Sequence, residues 1–524
     1  MDSERLVVEL ARNKIDAEIA VLKEHIRALH TRRNCLASIS RFPPDVITRI
    51  FGWFQQLYNN SGRFCPTHEN FLSLSPSLSQ EYLPRHYPKW TIVTHVCQHW
   101  RQIALSPKSK RLWDIVSFTP PAYGAEAFNR LGSQVPFYLI QSGYSDPTLW
   151  TSIARECHRI RFICNSGSHL VDFDKPMPLL EHVKIATCTL SPCIISPSLQ
   201  TLMLSRCDFT WEWPALPHIT ALEIVDPVQK VSFDSFLVIL FGSPQLKHLT
   251  IENLSPADSQ PHDLKPVIPS PLLPRLSHLR TRKWQFSADL LTHLRFTDDF
   301  EIQLEAGRIT ADSVPLIMQA LNRILLESSK TITCVRLGTG SEGCTINLID
   351  NSWYHISVAL DPQHHGEQNL SSCAKYLSVL PLDKLEALNC GSNIFDDPVL
   401  WMESGVGQLS SLRRVIVGLG SQSFLEYIAN DYEEYKKSRG QRRLSFTSLQ
   451  SVELRRVHFT RELKNSVCNA LAGRDRAGYR LKKFVAESST GEMVKAAEKQ
   501  LQKYVDHVGV YPVGGSRFYG ACRR

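Results

Sequence analysis

The 524-residue sequence has no apolar run suited to crossing a bilayer. Its longest uncharged stretch, around residues 186–205, is broken up by Ser, Thr and Pro. The first residues, Met1-Asp2-Ser3-Glu4-Arg5, mix charge with apolar side chains and supply no apolar leader core. The fourteen cysteines are scattered without paired spacing, which excludes a disulfide-framework or zinc-knuckle reading and is expected of reduced thiols. Charge of one sign is also missing: 59 basic residues face 51 acidic ones, a net of +8 spread along the chain with no basic block, so composition does not argue for nucleic acid. Glycine, at 25, is outnumbered by 30 prolines, which favours many short, punctuated elements over long helices throughout. With 43% hydrophobic residues the chain can build sizeable cores, and its length allows about three domains, or a small module with a repeat array. The expectation is a soluble intracellular protein, cytoplasmic or nuclear, with no membrane partner.

Residues 3–38 contain no Pro or Gly. Val8, Ile15, Leu22, Leu29 and Leu36 recur every seven positions, joined by Ile19 and Ile26, while Arg12 and Arg33 fall on the second stripe. This spacing predicts a helix with one narrow apolar seam, serving self-association or partner binding, or docking on its own chain, which is the simpler expectation.

Three blocks follow in order. The first is Phe42-Pro43-Pro44-Asp45-Val46-Ile47-Thr48-Arg49-Ile50-Phe51, in which proline and an acidic residue open an amphipathic helix. The second is Val96-Cys97-Gln98-His99-Trp100-Arg101-Gln102-Ile103-Ala104, the end of a run from Trp90 with Val93, Val96, Cys97, Trp100 and Ala104 at helical spacing on one face. The third is Leu112-Trp113, followed by a β-like run from Ile115 to Phe118. About thirty polar, Ser- and Pro-rich residues, 58–89, separate the first two blocks.

This layout resembles the F-box, a small helical module, and in particular the mushroom-type fungal F-box proteins, which also tend to carry a preceding coiled helix and a following repeat region. The departures are Phe42 for the usual Leu, Asp45 for Glu, Gln98 for a basic residue, and the insertion. The resemblance covers about the first fifth of the chain. It implies binding to the Skp-type adaptor, and through it cullin, of an SCF-type ubiquitin ligase. The contact residues it implies are Pro43, Pro44, Val46, Ile47, Ile50, Phe51, Val96, Cys97, Trp100 and Ile103, with Leu112 and Trp113 closing the module. The same residues can equally build an ordinary three-helix core, and some of them must.

Beyond residue 159 a short pattern recurs: apolar, two residues, apolar, one residue, apolar. It is seen at Leu180-Val183-Ile185, Leu199-Leu202-Leu204, Ile219-Leu222-Ile224, Leu246-Leu249-Ile251, Ile332-Val335-Leu337, Leu412-Val415-Val417 and Leu449-Val452-Leu454. Weaker copies are Leu276-Leu279 and Leu385-Leu388. The early spacings lie in or near the leucine-rich-repeat range, and Pro178, Pro197, Pro217 and Pro244 stand just ahead of a copy, ending the preceding element. The expected fold is α/β: an all-α F-box module followed by a leucine-rich-repeat-like solenoid with a parallel curved sheet, the alternative being an ordinary α/β domain with Leu-rich strands. The expected divisions are an amphipathic helix at 1–40, the F-box at 41–120, the repeat domain at 121–487, and a helix with a basic tail at 488–524. Residues 255–273 and 352–368 are expected as gaps in the array, 424–437 as an amphipathic helix, and 492–507 as a helix before a frayed glycine-rich end at 514–517.

Motifs for chemistry are few. Gly338-Thr339-Gly340-Ser341-Glu342-Gly343 spells a dinucleotide-binding fingerprint but runs into the alternating Cys344-Thr345-Ile346-Asn347-Leu348-Ile349, so a glycine turn between strands fits better than a phosphate cradle. His364-His365 with Asp361 and Glu367 point apart in a polar loop, and His95, Cys97 and His99 face different directions on a helix, so neither set favours a metal. The basic turns Arg280-Thr281-Arg282-Lys283-Trp284 and Arg455-Arg456 suit either acidic partners or a solvated face. No cofactor, metal or catalytic residue is assigned. The expected function is a non-enzymatic substrate receptor that holds an unidentified protein substrate on its repeats for ubiquitylation by other subunits. The alternative is a scaffold using its F-box outside a ligase.

Overall fold

The computed structural model describes residues 2–61, 89–118, 120–141, 146–165, 173–190, 192–255, 273–283, 287–296, 300–306, 313–328, 331–340, 343–350, 354–360, 377–391, 395, 397–418, 421–439, 441–457, 460–488 and 498–512. The chain is mixed α/β, with mostly parallel strand pairing, and divides into two compact units, residues 1–221 and 222–524. Among the described residues no helix is long and apolar enough to cross a membrane.

The first unit opens with helix α1 (Asp2–Cys35), which keeps its apolar seam exposed along its length. Its C-terminal end meets a 3-10 turn at Ser38–Arg41. Helix α2 (Pro44–Ser61) starts on Pro44, whose missing N–H costs nothing at a helix N-terminus, with Asp45 in the first turn. The run from Trp90 is not one helix. A 3-10 segment, Lys89–His95, is followed by Cys97 in extended backbone, whose Sγ accepts the Trp100 N–H at 3.4 Å and caps helix α3 (Gln98–Ala104). A second 3-10 segment, Pro107–Trp113, leads into strand β1 (Ile115–Ser117).

The chain then alternates helix and strand through α4 (Pro121–Leu131), β2 (Phe137–Gln141), α5 (Pro147–Arg155), β3 (Ile160–Asn165), β4 (His182–Ala186) and β5 (Thr201–Ser205). Each of these strands pairs in parallel with the next. Val116, Leu139, Ile163, Val183 and Leu202 stand in one row across them, and all five are buried. Strand β6 (Ala221–Val225) straddles the division between the units.

The second unit contains helices α6 (Phe233–Phe241), α7 (Ser287–His293), α8 (Ser313–Glu327), α9 (Pro398–Glu403), α10 (Ser421–Lys437) and α11 (Arg461–Arg476). Its strands are β7 (His248–Glu252), β8 (His278–Arg282), β9 (Glu301–Ala306), β10 (Cys334–Gly340), β11 (Gly343–Ile349), β12 (Tyr354–Leu360), β13 (Ala387–Cys390), β14 (Arg414–Val417), β15 (Ser451–Val457), β16 (Leu481–Ser488) and β17 (Val505–Pro512). β7, β8 and β9 pair in parallel in chain order, as do β13 to β17. Between the two runs the order is inverted. β9 pairs with β12, β12 and β11 are antiparallel, β11 and β10 are antiparallel, and β10 pairs in parallel with β13.

Three expectations are corrected here. The sheet is not wholly parallel, because Gly340 stands opposite Gly343 with two residues between them, a two-residue hairpin that reverses the chain. Part of the gap expected at 352–368 is strand β12. The helix expected at 492–507 is helical at 498–501, but Val505 to His507 lie in β17, because Val505, Val508 and Val510 repeat the spacing of Leu481, Phe484 and Ala486 opposite them. The loop at 256–272, the His364-His365 pair, the insertion at 62–88 and the glycine-rich end lie outside the described residues.

Each recurrent apolar triplet begins two residues ahead of a strand and places its last two residues in it, and every member of every copy is buried. The turn into the strand repeats as well. The N–H groups of Leu180, Leu199, Ile219, Leu246, Leu276, Leu385, Leu412 and Leu449 donate to the carbonyl three residues earlier, at 2.9–3.4 Å. Pro178, Pro197, Pro217 and Pro244 occupy the second position of these turns, where their fixed φ is already correct. The exit from the strand also recurs: Thr187, Arg206, Asp226, Asn253 and Lys283, each directly after a strand, have φ between 48° and 59°. In four of the five, the N–H donates to a carbonyl at the end of a following strand: Thr187 to Ser205, Asp226 to Glu252 and Asn253 to Arg282, each the last of its strand, and Lys283 to Glu305, the next to last.

Candidate interaction surface

The three sequence blocks fold on one another. Ile47 and Phe51 from α2, Trp90 and Val93 from the first 3-10 segment, Ile103 and Ala104 from α3, and Leu112 and Trp113 from the second share one buried cluster with Tyr123 and Ala127 of α4. Phe51 packs on Trp100 with ring centroids 5.3 Å apart, and Trp90 meets Trp113 edge-on at 5.0 Å. The Trp113 indole donates to the Ala104 carbonyl at 3.0 Å, and the Arg130 guanidinium lies over its ring at 5.2 Å.

Polar links tie the blocks further. Thr48 and Ser109 hydroxyls are 3.2 Å apart, and Ser109 donates to the Ile103 carbonyl at 2.7 Å. Buried Gln55 donates to Asp114 Oδ1 at 3.2 Å and to the Leu112 carbonyl at 3.4 Å. Burial pushes the Asp114 carboxyl up to about 6, against the smaller opposing pull of Gln55, its own backbone N–H and Arg111.

The structure separates the twelve sequence-selected residues into two groups. Ile47, Phe51, Ile103, Leu112 and Trp113 are at most 6% exposed. These five form the core of the module, as some of the twelve had to. Pro43, Pro44 and Val96 are exposed, and Val46, Ile50, Cys97 and Trp100 are half-buried. Helix α2 therefore has an inner stripe, Ile47, Phe51 and Gln55, and an outer one, Val46, Ile50 and Trp53.

Trp53, 64% exposed, and Ile92, 59% exposed, were not selected from the sequence. The signal for Trp53 was present: it stands seven residues after Val46 and three after Ile50, out of phase with the core positions. The exposed indole and the apolar side chains beside it make this side of the module a candidate interaction surface.

Each unit's strands also have a face opposite the buried triplets. In the first unit, half-buried Tyr138 and Ile140 pack there on buried Phe162, Cys164 and Met203. In the second it is charged: Arg282 pairs with Glu252 at 3.0 Å and Glu305 at 2.7 Å, and Arg414 and Lys483 reach the buried Glu453 at 2.8 and 3.0 Å. Arg280 and Arg282, read from sequence as suited to an acidic partner or a solvated face, thus face glutamates on neighbouring strands.

Among the described residues no group of three or more His, Cys, Asp or Glu is placed to hold a metal ion. Gly338, Gly340 and Gly343 lie on the β10–β11 hairpin with no helix after them. No protein-family model and no curated protein matches this chain.

Proposed function

We propose that residues 41–120 are an F-box, that the outer side of α2 with Pro43, Pro44 and Val96 binds a Skp-type adaptor, and that the chain is a non-catalytic substrate receptor of an SCF-type ubiquitin ligase. The observation that carries this reading is that three ordered blocks separated by an insertion of about thirty residues pack into one small core while α2 keeps Val46, Ile50 and Trp53 outside it. A module of this size buries too few side chains to leave bulky apolar groups in water without a partner.

The strands beyond residue 159 fit a leucine-rich-repeat-like array. The support is the recurrence of one buried triplet, one entry turn and one left-handed exit residue in successive segments, which is how stacked repeats bury a face that none could bury alone. The face opposite the triplets is then the place for a protein substrate, with ubiquitin transfer left to other subunits. Co-expression of the full chain with a Skp-type adaptor tests the tether. Wild-type chain is expected to co-purify with adaptor and cullin, and Ile50→Asp with Val96→Asp to lose both. Retention of both by the double variant would overturn the reading.

A further inference from the structure

Helix α1 holds an apolar seam that nothing else among the described residues covers. Val8, Ile15, Ile19, Leu22, Ile26 and Leu29 are between 41% and 61% exposed. In heptad terms, Val8, Ile15, Leu22 and Leu29 hold one core position, and Arg12, Ile19, Ile26 and Arg33 the other. These positions span residues 8–33, nearly four heptads, which is enough for a coiled coil.

We propose that α1 pairs with α1 of a second copy of this chain, antiparallel, as a two-stranded coiled coil. Two features select a second copy and this direction. First, charge is divided along the helix: residues 2–18 carry five acidic and three basic side chains, and residues 19–35 one acidic and four basic. An antiparallel pair sets the acidic half of each helix against the basic half of the other.

Second, the register that centres Ile19 on Leu22 of the other copy gives four wholly apolar layers, Ile15–Ile26 and Ile19–Leu22 with their symmetry mates. It sets Arg12 over Leu29 and Arg33 over Val8, where an arginine stem covers apolar surface and its head reaches water. The flanking positions are then opposite in sign where Asp16 meets Lys23 across the pair, twice per dimer. A parallel pair would set Glu18 beside Lys23 but stack Arg12 on Arg12 and Arg33 on Arg33 in the core, so the antiparallel direction is favoured.

This inference does not depend on the adaptor reading. Residues outside the seam, such as Val7, Leu10 and Val21, form a shorter stripe broken by Lys14 and remain outside the pair.

Sedimentation velocity of the full chain tests it. Wild type is expected to sediment at twice the chain mass in the micromolar range. Leu22→Asp is expected to sediment as a monomer with an unchanged melting temperature, because the seam supports no other part of the fold. Asp16→Lys places lysine opposite Lys23 twice per dimer and is expected to weaken dimerisation about tenfold. Asp16→Lys combined with Lys23→Asp restores it only in the antiparallel arrangement, since in a parallel pair position 23 faces Glu18. A monomeric wild type, a trimer or tetramer, or a double variant as weak as Asp16→Lys would overturn the proposal.

Discussion

Phe51 on α2 packs against the Trp100 indole of α3, their rings inclined at 60°, so the first and second sequence blocks share one wall of a core. Two residues along the same helix, Trp53 points the other way and is 64% exposed. Stability and binding should therefore separate on α2. Phe51→Ala removes a fully buried ring and is expected to cost about 3–5 kcal/mol. Trp53→Ala is expected to leave the thermal midpoint within about 1 °C, a surface change worth under ~0.5 kcal/mol, and to weaken adaptor binding. Thermal melts of both variants beside adaptor titrations check the separation.

The second prediction concerns pH. With Asp114 raised to about 6 in the folded chain and near 3.8 when unfolded, the native state keeps a proton between these values that the unfolded state gives up. The stability this proton provides is complete below about pH 4 and is lost as pH rises through 6. Asp114→Asn should stabilise the first unit at pH 7.5, by at most about 3 kcal/mol, and leave it nearly unchanged at pH 4. Urea midpoints measured from pH 4 to 8 read this directly.

Packing of α11 on α10 supplies a third. A methyl group at Gly473 would collide with the Tyr432 ring, so Gly473→Ala must push the helices apart and is expected to cost about 1–3 kcal/mol despite a gain in helix propensity. Next to it, buried Arg474 donates to the carbonyls of Ser445 at 2.7 Å and Phe446 at 2.6 Å, fixing the turn into β15. Burial draws its guanidinium down to about 10, still protonated at neutral pH. Arg474→Met leaves those carbonyls without this donor, and about 3 kcal/mol is the expected loss in a denaturant melt.

Strand exits give a fourth. Lys283 has a φ of 51° and its N–H donates to the Glu305 carbonyl at 2.7 Å. Lys283→Gly relieves the left-handed strain while loosening the unfolded chain, and should change stability by less than about 1 kcal/mol. Lys283→Pro forces a negative φ and deletes the donor, with an expected cost of about 3 kcal/mol. Equal effects of the two would refute the role given to this residue.

Much of the strand content was legible because a buried strand writes itself as spaced apolar residues: Leu180-Val183-Ile185 and its copies all lie where the spacing puts them. β16 and β17 were missed because Phe484 and Ala486 follow Leu481 in the one and Val505, Val508 and Val510 stand in the other, where most copies carry leucine or isoleucine. The hairpin that inverts β10 to β12 was legible as a glycine turn, but the order of pairing was not, because it depends on β12 meeting β9 over fifty residues away. In the candidate site, periodicity found the amphipathic helix but not which apolar residues turn inward. Phe51 and Trp53 are equally bulky on paper, and only α3 packing on one side of α2 tells them apart. Cys97 looked like a helix-face residue, whereas its thiol caps the next helix, an arrangement that apolar spacing does not encode. The seam of α1 was read correctly as a helix but was expected against its own chain, and the structure leaves it exposed.

The central claim is tested most directly by the affinity of the purified full-length chain for a Skp-type adaptor, measured by titration calorimetry with wild type, Trp53→Ala and Ile50→Asp. One-to-one binding per chain, lost in Ile50→Asp and at least about tenfold weaker in Trp53→Ala, with both variants melting like wild type, is the result expected. No binding by the wild-type chain, or binding unchanged in both variants, would contradict the account.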